Sequence, residues 1–169
     1  KIQEIVYPEF SDVIPAATPE VVKQVKWLFP HFVTEEGHLS LSIHSLIIDT
    51  PGAKLIVDTC IGNDRDRNPF EVMHMLSTSY MEDMIASGYH PDGIDYVLCT
   101  HLHLDHVGWN TRMVDGKWVP TFPNASYLMG KKDLEFWGSI DKDAQDDFLQ
   151  IQRRVFDDSL QPVLDAGLA

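Results

Sequence analysis

The spacing of hydrophobic and polar positions predicts mixed strands and helices along the chain. Residues 1–7 and residues 39–49 alternate between apolar and polar side chains, which predicts a short strand and a long one. The turn sequence Thr50-Pro51-Gly52-Ala53 leads into the apolar run 54–58, so this part of the chain is predicted to form a hairpin.

Helical spacing alternates with these strands. Thr18 has the character of an N-cap, with Pro19 at the first helical position, and the apolar spacing that follows predicts a helix that ends at Pro30. Similar spacing predicts further helices at 77–88, 130–137 and 143–164. The acidic side chains between 133 and 158 are predicted to form a solvated helix face.

Three more strands complete the prediction. Residues 95–100 are typical of a short buried strand, and residues 125–129 form another apolar run. Residues 112–119 are predicted to form a hairpin with its turn at Asp115-Gly116. Residues 65–69 are predicted to be a polar loop.

Composition and charge limit the classes of function. The chain has 169 residues, of which 44% are hydrophobic and 23% charged, values ordinary for one globular domain. A net charge of −13 disfavours binding to nucleic acid, whose phosphates such a surface repels. No apolar run reaches the length of a membrane span, and no leader is evident. We therefore expect a soluble, cytoplasmic protein without a membrane partner.

The cysteine content agrees with this expectation. Cys60 and Cys99 are the chain's two cysteines, which excludes a disulfide scaffold and favours a reducing compartment. Both follow predicted strands. Each is expected to be a small buried side chain and not a nucleophile.

Metal-ligating side chains are concentrated directly after the strand predicted at 95–100. They are His101, His103, Asp105 and His106. Because residues two apart point to the same side of an extended chain, His101 and His103 can bind one ion. If the chain turns after Leu104, Asp105 and His106 reach a second position, as two ions roughly 3.5–4 Å apart would require. Imidazole and carboxylate ligands suit zinc, with iron, manganese or cobalt as alternatives.

Other side chains are candidates for supporting roles. Asp58 follows an apolar strand directly, so it is expected either to cap backbone amides or to orient a metal ligand. Four larger apolar side chains could line a substrate pocket, although a core or surface role fits each of them as well. These are Phe70, Met73, Trp109 and Trp118.

The pair Asp58-Thr59, followed later by His101-x-His103-x-Asp105-His106, resembles the metallo-β-lactamase superfamily. The resemblance implies an α+β fold of the αββα sandwich type. It also implies that residues 1–169 are the N-terminal part of one such domain, whose C-terminal half is absent from this chain. Residues 57–64 and 106–110 are most similar to the branch that holds N-acyl-homoserine lactonases and methyl parathion hydrolase. A glycine commonly follows Asp-Thr in this family, whereas Cys60 stands there in this chain.

The resemblance also implies roles for the site residues. His101 and His103 would bind the first metal together with a third histidine, and Asp105 and His106 would bind the second metal. In the family the third histidine, a bridging aspartate and a last histidine come from the C-terminal half. No histidine follows His106 in this sequence. We therefore expect the chain to be part of a longer protein.

The implied activity is that of a metal-dependent hydrolase. A hydroxide held by the dinuclear metal centre would attack a lactone or ester-like small-molecule substrate, with Asp105 as a ligand that can also transfer a proton. Alternatives on the same fold are hydrolysis of a β-lactam, a thioester or a phosphotriester. A noncatalytic metal-binding fragment is an alternative of another class, and a homodimer is allowed.

Overall fold

Two units of the chain, Lys1–Ile43 and His44–Ala169, each carry their own strands. The computed structural model describes residues 3–7 and 10–169. In the first unit, β1 (Gln3–Tyr7) pairs antiparallel with β2 (Leu39–Ile43). The strand predicted at 1–7 is confirmed over Gln3–Tyr7, and residues 1 and 2 lie outside the described residues.

The first predicted helix is shorter than its apolar spacing indicated. Thr18 is the N-cap, and its Oγ1 accepts a hydrogen bond from the Val21 amide at 3.4 Å. However, α1 covers only Pro19–Val22, and the chain continues into a separate 3-10 turn at Lys26–Leu28. The prediction that the helix reaches Pro30 is therefore wrong. Branching at the β-carbon of its valines lowers the helix propensity of this segment.

The prediction of one long strand over 39–49 is also wrong, because the chain forms two strands there. β2 ends at Ile43 and β3 (Leu46–Asp49) begins after a break. β3 pairs antiparallel with β4 (Lys54–Val57) and not with the partner of β2. Alternation alone could not indicate this change of partner, since it continues through both strands. At the break, the Ser45 Oγ lies 2.8 Å from the Tyr80 hydroxyl.

The second unit contains two further strands, β5 (Tyr96–Leu98) and β8 (Ser126–Leu128). They complete a four-stranded sheet in the order β3-β4-β5-β8, in which β5 and β8 both lie parallel to β4. The predicted hairpin at Thr50 is confirmed, with the Thr50 amide donating to the Ala53 carbonyl at 3.0 Å. One face of the sheet is core, in which Ile56, Val97 and Tyr127 are buried.

The opposite face of this sheet is apolar but exposed. Leu46, Ile48, Tyr96 and Leu128 have 55%, 47%, 41% and 45% of their surfaces exposed. In the register, Leu46 lies opposite Val57, which in turn lies opposite Leu98 and then Leu128. The strands are therefore apolar on both sides, a pattern typical of sheets that are covered on both faces.

A second hairpin and several helices complete this unit. β6 (Thr111–Val114) and β7 (Lys117–Pro120) form the hairpin predicted around Asp115-Gly116. The helices are α2 (Tyr80–Ala86), α3 (Lys131–Gly138), α4 (Asp147–Val155) and α5 (Gln161–Asp165). The helices predicted at 77–88 and 130–137 are thus confirmed, with shifted ends.

The prediction of one continuous helix over 143–164 is wrong in its detail. The observed helix begins at Asp147, widens to a π-helix at Phe156–Leu160, and continues as α5. Pro162 cannot donate a backbone hydrogen bond, which favours a change of helical geometry just before it. The π-helical turn carries Asp158, whose side chain is only 14% exposed.

Asp158 is a carboxylate shared by two buried arginines, in the segment 65–69 that the sequence predicts as a polar loop. Arg65 and Arg67 are both 0% exposed. Nη1 and Nη2 of Arg67 donate to the Asp158 carboxylate at 2.8 and 2.9 Å. Nη1 of Arg65 lies 3.1 Å from Asp158 Oδ1. The Arg65 guanidinium also lies 3.6 Å from the centroid of a Trp118 ring. Burial lowers the pKa of Arg65 to about 10, although Asp158 opposes this effect.

Within residues 3–7 and 10–169, the helices are all too short or too polar to cross a lipid bilayer.

Candidate metal centre

The candidate site lies where two neighbouring parallel strands end. Val57 at the end of β4 is in register with Leu98 at the end of β5. Asp58 directly follows β4, and its amide donates to the Leu98 carbonyl at 2.9 Å. His101 follows β5 by a few residues. Because carboxyl ends of parallel strands meet at one edge of a sheet, Asp58 and the histidine motif are brought together there.

Backbone hydrogen bonds connect the two loops closely. The Thr59 amide donates to the His106 carbonyl at 2.6 Å, and the Trp109 amide donates to the Thr59 carbonyl at 2.9 Å. Gly108 makes the closest approach, since a β-carbon there would lie 1.8 Å from the Ile61 carbonyl oxygen. Cys60 has a φ of 54°, in the left-handed region that favours glycine. The loop after β4 therefore fixes the backbone of the motif.

Three of the predicted ligands converge. His101, Asp105 and His106 each offer one ligand atom, and these atoms lie within 4.8 Å of one another. The ring centroids of His101 and His106 are 3.9 Å apart. All three side chains are partly buried, whereas Leu102 and Leu104 between them point into the core. The alternation of buried leucines with ligands holds the polar side chains at the surface of the sheet edge.

Asp58 performs both of the roles between which the sequence could not decide. Its Oδ1 accepts a hydrogen bond from the Thr100 amide at 2.8 Å. Its Oδ2 lies 2.8 Å from His106 Nδ1. The carboxylate therefore caps the backbone after β5 and holds the ring of the candidate ligand His106, whose Nε2 faces Asp105.

The His106 ring lies between two carboxylates, those of Asp58 and Asp105. His106 Nε2 lies 3.2 Å from Asp105 Oδ2. Burial lowers the pKa of His106, but hydrogen bonds to Asp105 and Asp58 outweigh burial and raise that pKa to about 9. Burial raises the pKa of Asp105, but the hydrogen bond and charge of His106, a backbone hydrogen bond and the neighbouring His101 together outweigh burial, so this pKa lies below its ordinary value. Two carboxylates facing one imidazole make a site that favours cations.

His103 lies at the side of the cluster. Its ring centroid is 4.7 Å from that of His101, so the two rings are in contact. Its other neighbours are aromatic, with Trp137 at 5.4 Å and Phe148 at 5.6 Å between ring centroids. Burial, together with the neighbouring His101, lowers the pKa of His103. These aromatic neighbours could not be predicted from the sequence, because Trp137 lies in α3 and Phe148 in α4.

Thr100 is a site residue that the sequence analysis missed. Its hydroxyl lies 2.8 Å from Asp58 Oδ2 and 3.2 Å from His101 Nδ1. One hydroxyl group therefore contacts both the supporting carboxylate and a ligand histidine. When the proton of the hydroxyl is directed to Asp58, the oxygen can accept from Nδ1–H of His101, which leaves Nε2 of His101 free to bind a cation.

The candidate pocket residues and the cysteines have other surroundings. Trp109 is buried and stacks on Tyr80, with ring centroids 5.2 Å apart, and Trp118 lies against Arg65. Trp109 therefore belongs to the core, whereas Trp118 is partly exposed. Phe70 and Met73 lie at the start and end of a 3-10 turn, Glu71–Met73, where Phe70 is 37% exposed. Cys60 and Cys99 are buried, as predicted, and burial raises their pKa values to about 11 and about 12.

The donor set fits divalent metal ions. Imidazole nitrogens and carboxylate oxygens are typical ligands of zinc and of related transition metals. The convergence of such groups from His101, Asp105 and His106 on one point is the observation that supports this fit. The buried thiols point to no structural zinc site of the cysteine type.

Comparisons with known proteins place the chain in context. The model of the Metallo-beta-lactamase superfamily matches residues 40–167. A search of the curated proteins found no match. Among solved structures, the hydrolase AbOPH in the beta lactamase superfamily is similar with a TM-score of 0.67 at 23% identity, over 99% of this chain and 54% of that one.

Two further structures have the same fold. A probable metal-dependent hydrolase from Staphylococcus aureus gives a TM-score of 0.56 at 21% identity, over 83% of this chain and 50% of that one. AidC, described as a dizinc quorum-quenching lactonase, gives 0.58 at 18% identity, over 92% of this chain and 53% of that one. These likenesses show the α+β fold that the resemblance implied. The chain spans about half the length of each of these structures.

Proposed function

The chain belongs to the metallo-beta-lactamase superfamily, and on this basis we propose that it forms part of a metal-dependent hydrolase of lactones or esters. The observation that carries the proposal is the convergence of three ligand atoms within 4.8 Å at the end of two parallel strands. His101, Asp105 and His106 would hold a divalent ion. His103, whose ring contacts that of His101, would be a further ligand of a dinuclear centre.

Two divalent ions, when bound, supply Lewis acidity toward a carbonyl oxygen and lower the pKa of water from 15.7 to about 7. The protein's own contribution is orientation. Asp58 holds His106 through Nδ1, and Thr100 contacts Nδ1 of His101, so Nε2 of each ring is left to bind an ion. Asp105 can hold or pass a proton at its carboxylate oxygens, in addition to its role as a ligand.

The substrate class is supported by the nature of the relatives. AidC is described as a lactonase in complex with the product N-hexanoyl-homoserine, and AbOPH as a hydrolase. A lactone or ester needs polarisation of its carbonyl group, which bound ions would supply, and protonation of its leaving oxygen. The Asp105 carboxylate would take the proton that the attacking water loses and pass it to that oxygen. The net charge of −13 disfavours nucleic acid as a substrate.

A panel of substrates tests this function in the full-length protein. Zinc-loaded protein should hydrolyse N-acyl-homoserine lactone or an aryl ester faster than a β-lactam, a thioester or a phosphotriester, and a chelator should abolish the activity. Preference for one of the other substrates would contradict the substrate class. Zinc binding without hydrolysis of any of them would favour a noncatalytic metal-binding protein instead.

The exposed sheet face supports a second part of the proposal, namely that this chain is the N-terminal half of one domain. The apolar side chains of Leu46, Ile48 and Leu128 would then be covered by the other half.

Thiol labelling tests whether the sheet face is covered. In the full-length protein, a cysteine at Ile48 should react with a maleimide at least about 10-fold more slowly than a cysteine at Ile85. The two isoleucines are matched, since they are 47% and 42% exposed in this structure, but Ile85 lies on helix α2 and not on the sheet. Equal labelling rates would contradict coverage, and protection that disappears on dilution would indicate a dimer instead.

The hydroxyl of Thr100 gives a further prediction. Thr100→Val removes the group that contacts both Asp58 and His101, and is expected to weaken zinc binding by about 10–100-fold. Thr100→Ser keeps the hydroxyl and should bind zinc nearly as the unaltered protein does. Competition with a chromophoric chelator measures both affinities. Equal losses in the two variants would show that the hydroxyl is not the group that matters.

A further inference from the structure

The loop that carries the candidate metal ligands is attached to a helix by one buried side chain. Gln152 lies in α4 and is 1% exposed. Its Oε1 accepts a hydrogen bond from the Leu104 amide at 3.1 Å, and its Nε2 donates to the Leu102 carbonyl at 3.2 Å. Leu102 and Leu104 alternate with the ligand residues, so Gln152 contacts the backbone directly between them.

We propose that Gln152 is a positioning residue for the metal centre, an inference that rests on the proposed function. Residues 101–106 lie outside the strands and helices of the structure. Their geometry therefore depends on contacts from elsewhere, and Gln152 satisfies one backbone donor and one backbone acceptor of this loop. The buried side chains of Leu102 and Leu104 fix the same segment by packing.

The chemistry of a primary amide explains why glutamine occupies this position. A carboxamide donates and accepts at the same time, with its two atoms held at a fixed separation. A glutamate would present no donor to the Leu102 carbonyl, and a methionine of similar size would satisfy neither backbone group. Ligand atoms must be held within about 0.5 Å of the productive geometry, so a small displacement of this loop is expected to affect metal binding.

The helix provides a rigid base for this contact. The Asp146 carboxylate caps α4 by accepting from the Leu149 amide at 2.9 Å, and Ile151 and Val155 are both 0% exposed. The same helix carries Phe148, whose ring contacts that of His103. One buried helix therefore supports the ligand loop through a pair of hydrogen bonds and an aromatic contact.

The test compares Gln152→Met with a matched control in the full-length protein. Gln150 lies two positions away in α4 and donates to the Ala144 carbonyl, away from the ligand loop. Gln152→Met is expected to weaken zinc binding by about 10–100-fold and to change the visible spectrum of the Co²⁺-loaded protein. Gln150→Met should change zinc affinity by no more than about twofold. If the methionine variant does not fold, the same measurements are made on Gln152→Glu, which keeps an acceptor for the Leu104 amide.

The outcomes separate this inference from the proposed function. If the unaltered protein binds zinc, but the folded Gln152 variants bind it equally well with an unchanged Co²⁺ spectrum, Gln152 is only structural and the inference is overturned. If the unaltered protein itself binds no zinc, the proposed function fails, and the inference fails with it. Reduced affinity confined to the Gln152 variants supports the positioning role.

Discussion

Replacing Asp158 by asparagine is expected to lower the free energy of unfolding by about 3–5 kcal/mol. The substitution removes the one carboxylate that contacts both Arg65 and Arg67, whose side chains are 1% and 0% exposed. Two buried guanidinium groups would then lose the carboxylate that they share, and asparagine can accept only part of their hydrogen bonds. The measurement is the chemical denaturation midpoint at neutral pH.

The neighbouring aspartate provides the control for this prediction. Asp157 also pairs with an arginine, Arg153, at 2.6 Å, but its side chain is 42% exposed. Asp157→Asn should therefore cost no more than about 1 kcal/mol, as is usual for exposed ion pairs. Equal effects of the two substitutions would contradict the assignment of Asp158 as the counter-charge of a buried cluster.

The second large effect is expected at the metal centre. Substitution of His106 by alanine in the full-length protein should reduce turnover of the lactone or ester by more than about 100-fold, because residues that merely support ligands already contribute about 10–100-fold. His106 is also the candidate ligand whose Nδ1 lies 2.8 Å from Asp58 Oδ2. His101→Ala should have a similar effect, since its ring lies 3.9 Å from that of His106.

Substitution of an exposed histidine provides the control, because it removes an imidazole that is not a candidate ligand. His90 is exposed in the segment before β5, and its carbonyl accepts from the Gly93 amide through the backbone alone. His90→Ala should therefore retain full turnover. Retention of turnover in His106→Ala, measured under the same zinc concentration, would be incompatible with the proposed site.

The sequence predicted the local features of the site because their signals are local. The ligands His101, Asp105 and His106 lie within a few positions, and Asp58 stands directly after a recognisable strand. Turn residues likewise identified both hairpins. The parallel pairing of β4 with β5, which brings Asp58 to His106, could be inferred only through the family resemblance.

Features that depend on distant partners could not be predicted in the same way. Arg65 and Asp158 are far apart in sequence, and each alone is typical of a solvated surface. Gln152 gave no signal either, since its role depends on the backbone of a loop in another part of the chain. The strand break before Leu46 was missed because alternation does not indicate which strand is the partner.

The most direct test of the metal centre is the zinc X-ray absorption spectrum of the full-length protein. We predict nitrogen and oxygen neighbours at about 2.0–2.2 Å, with an imidazole contribution that decreases when His101 and His106 are both replaced by alanine. Sulfur neighbours at about 2.3 Å, which only thiolates could supply, or an imidazole contribution unchanged by the double substitution, would contradict the assignment.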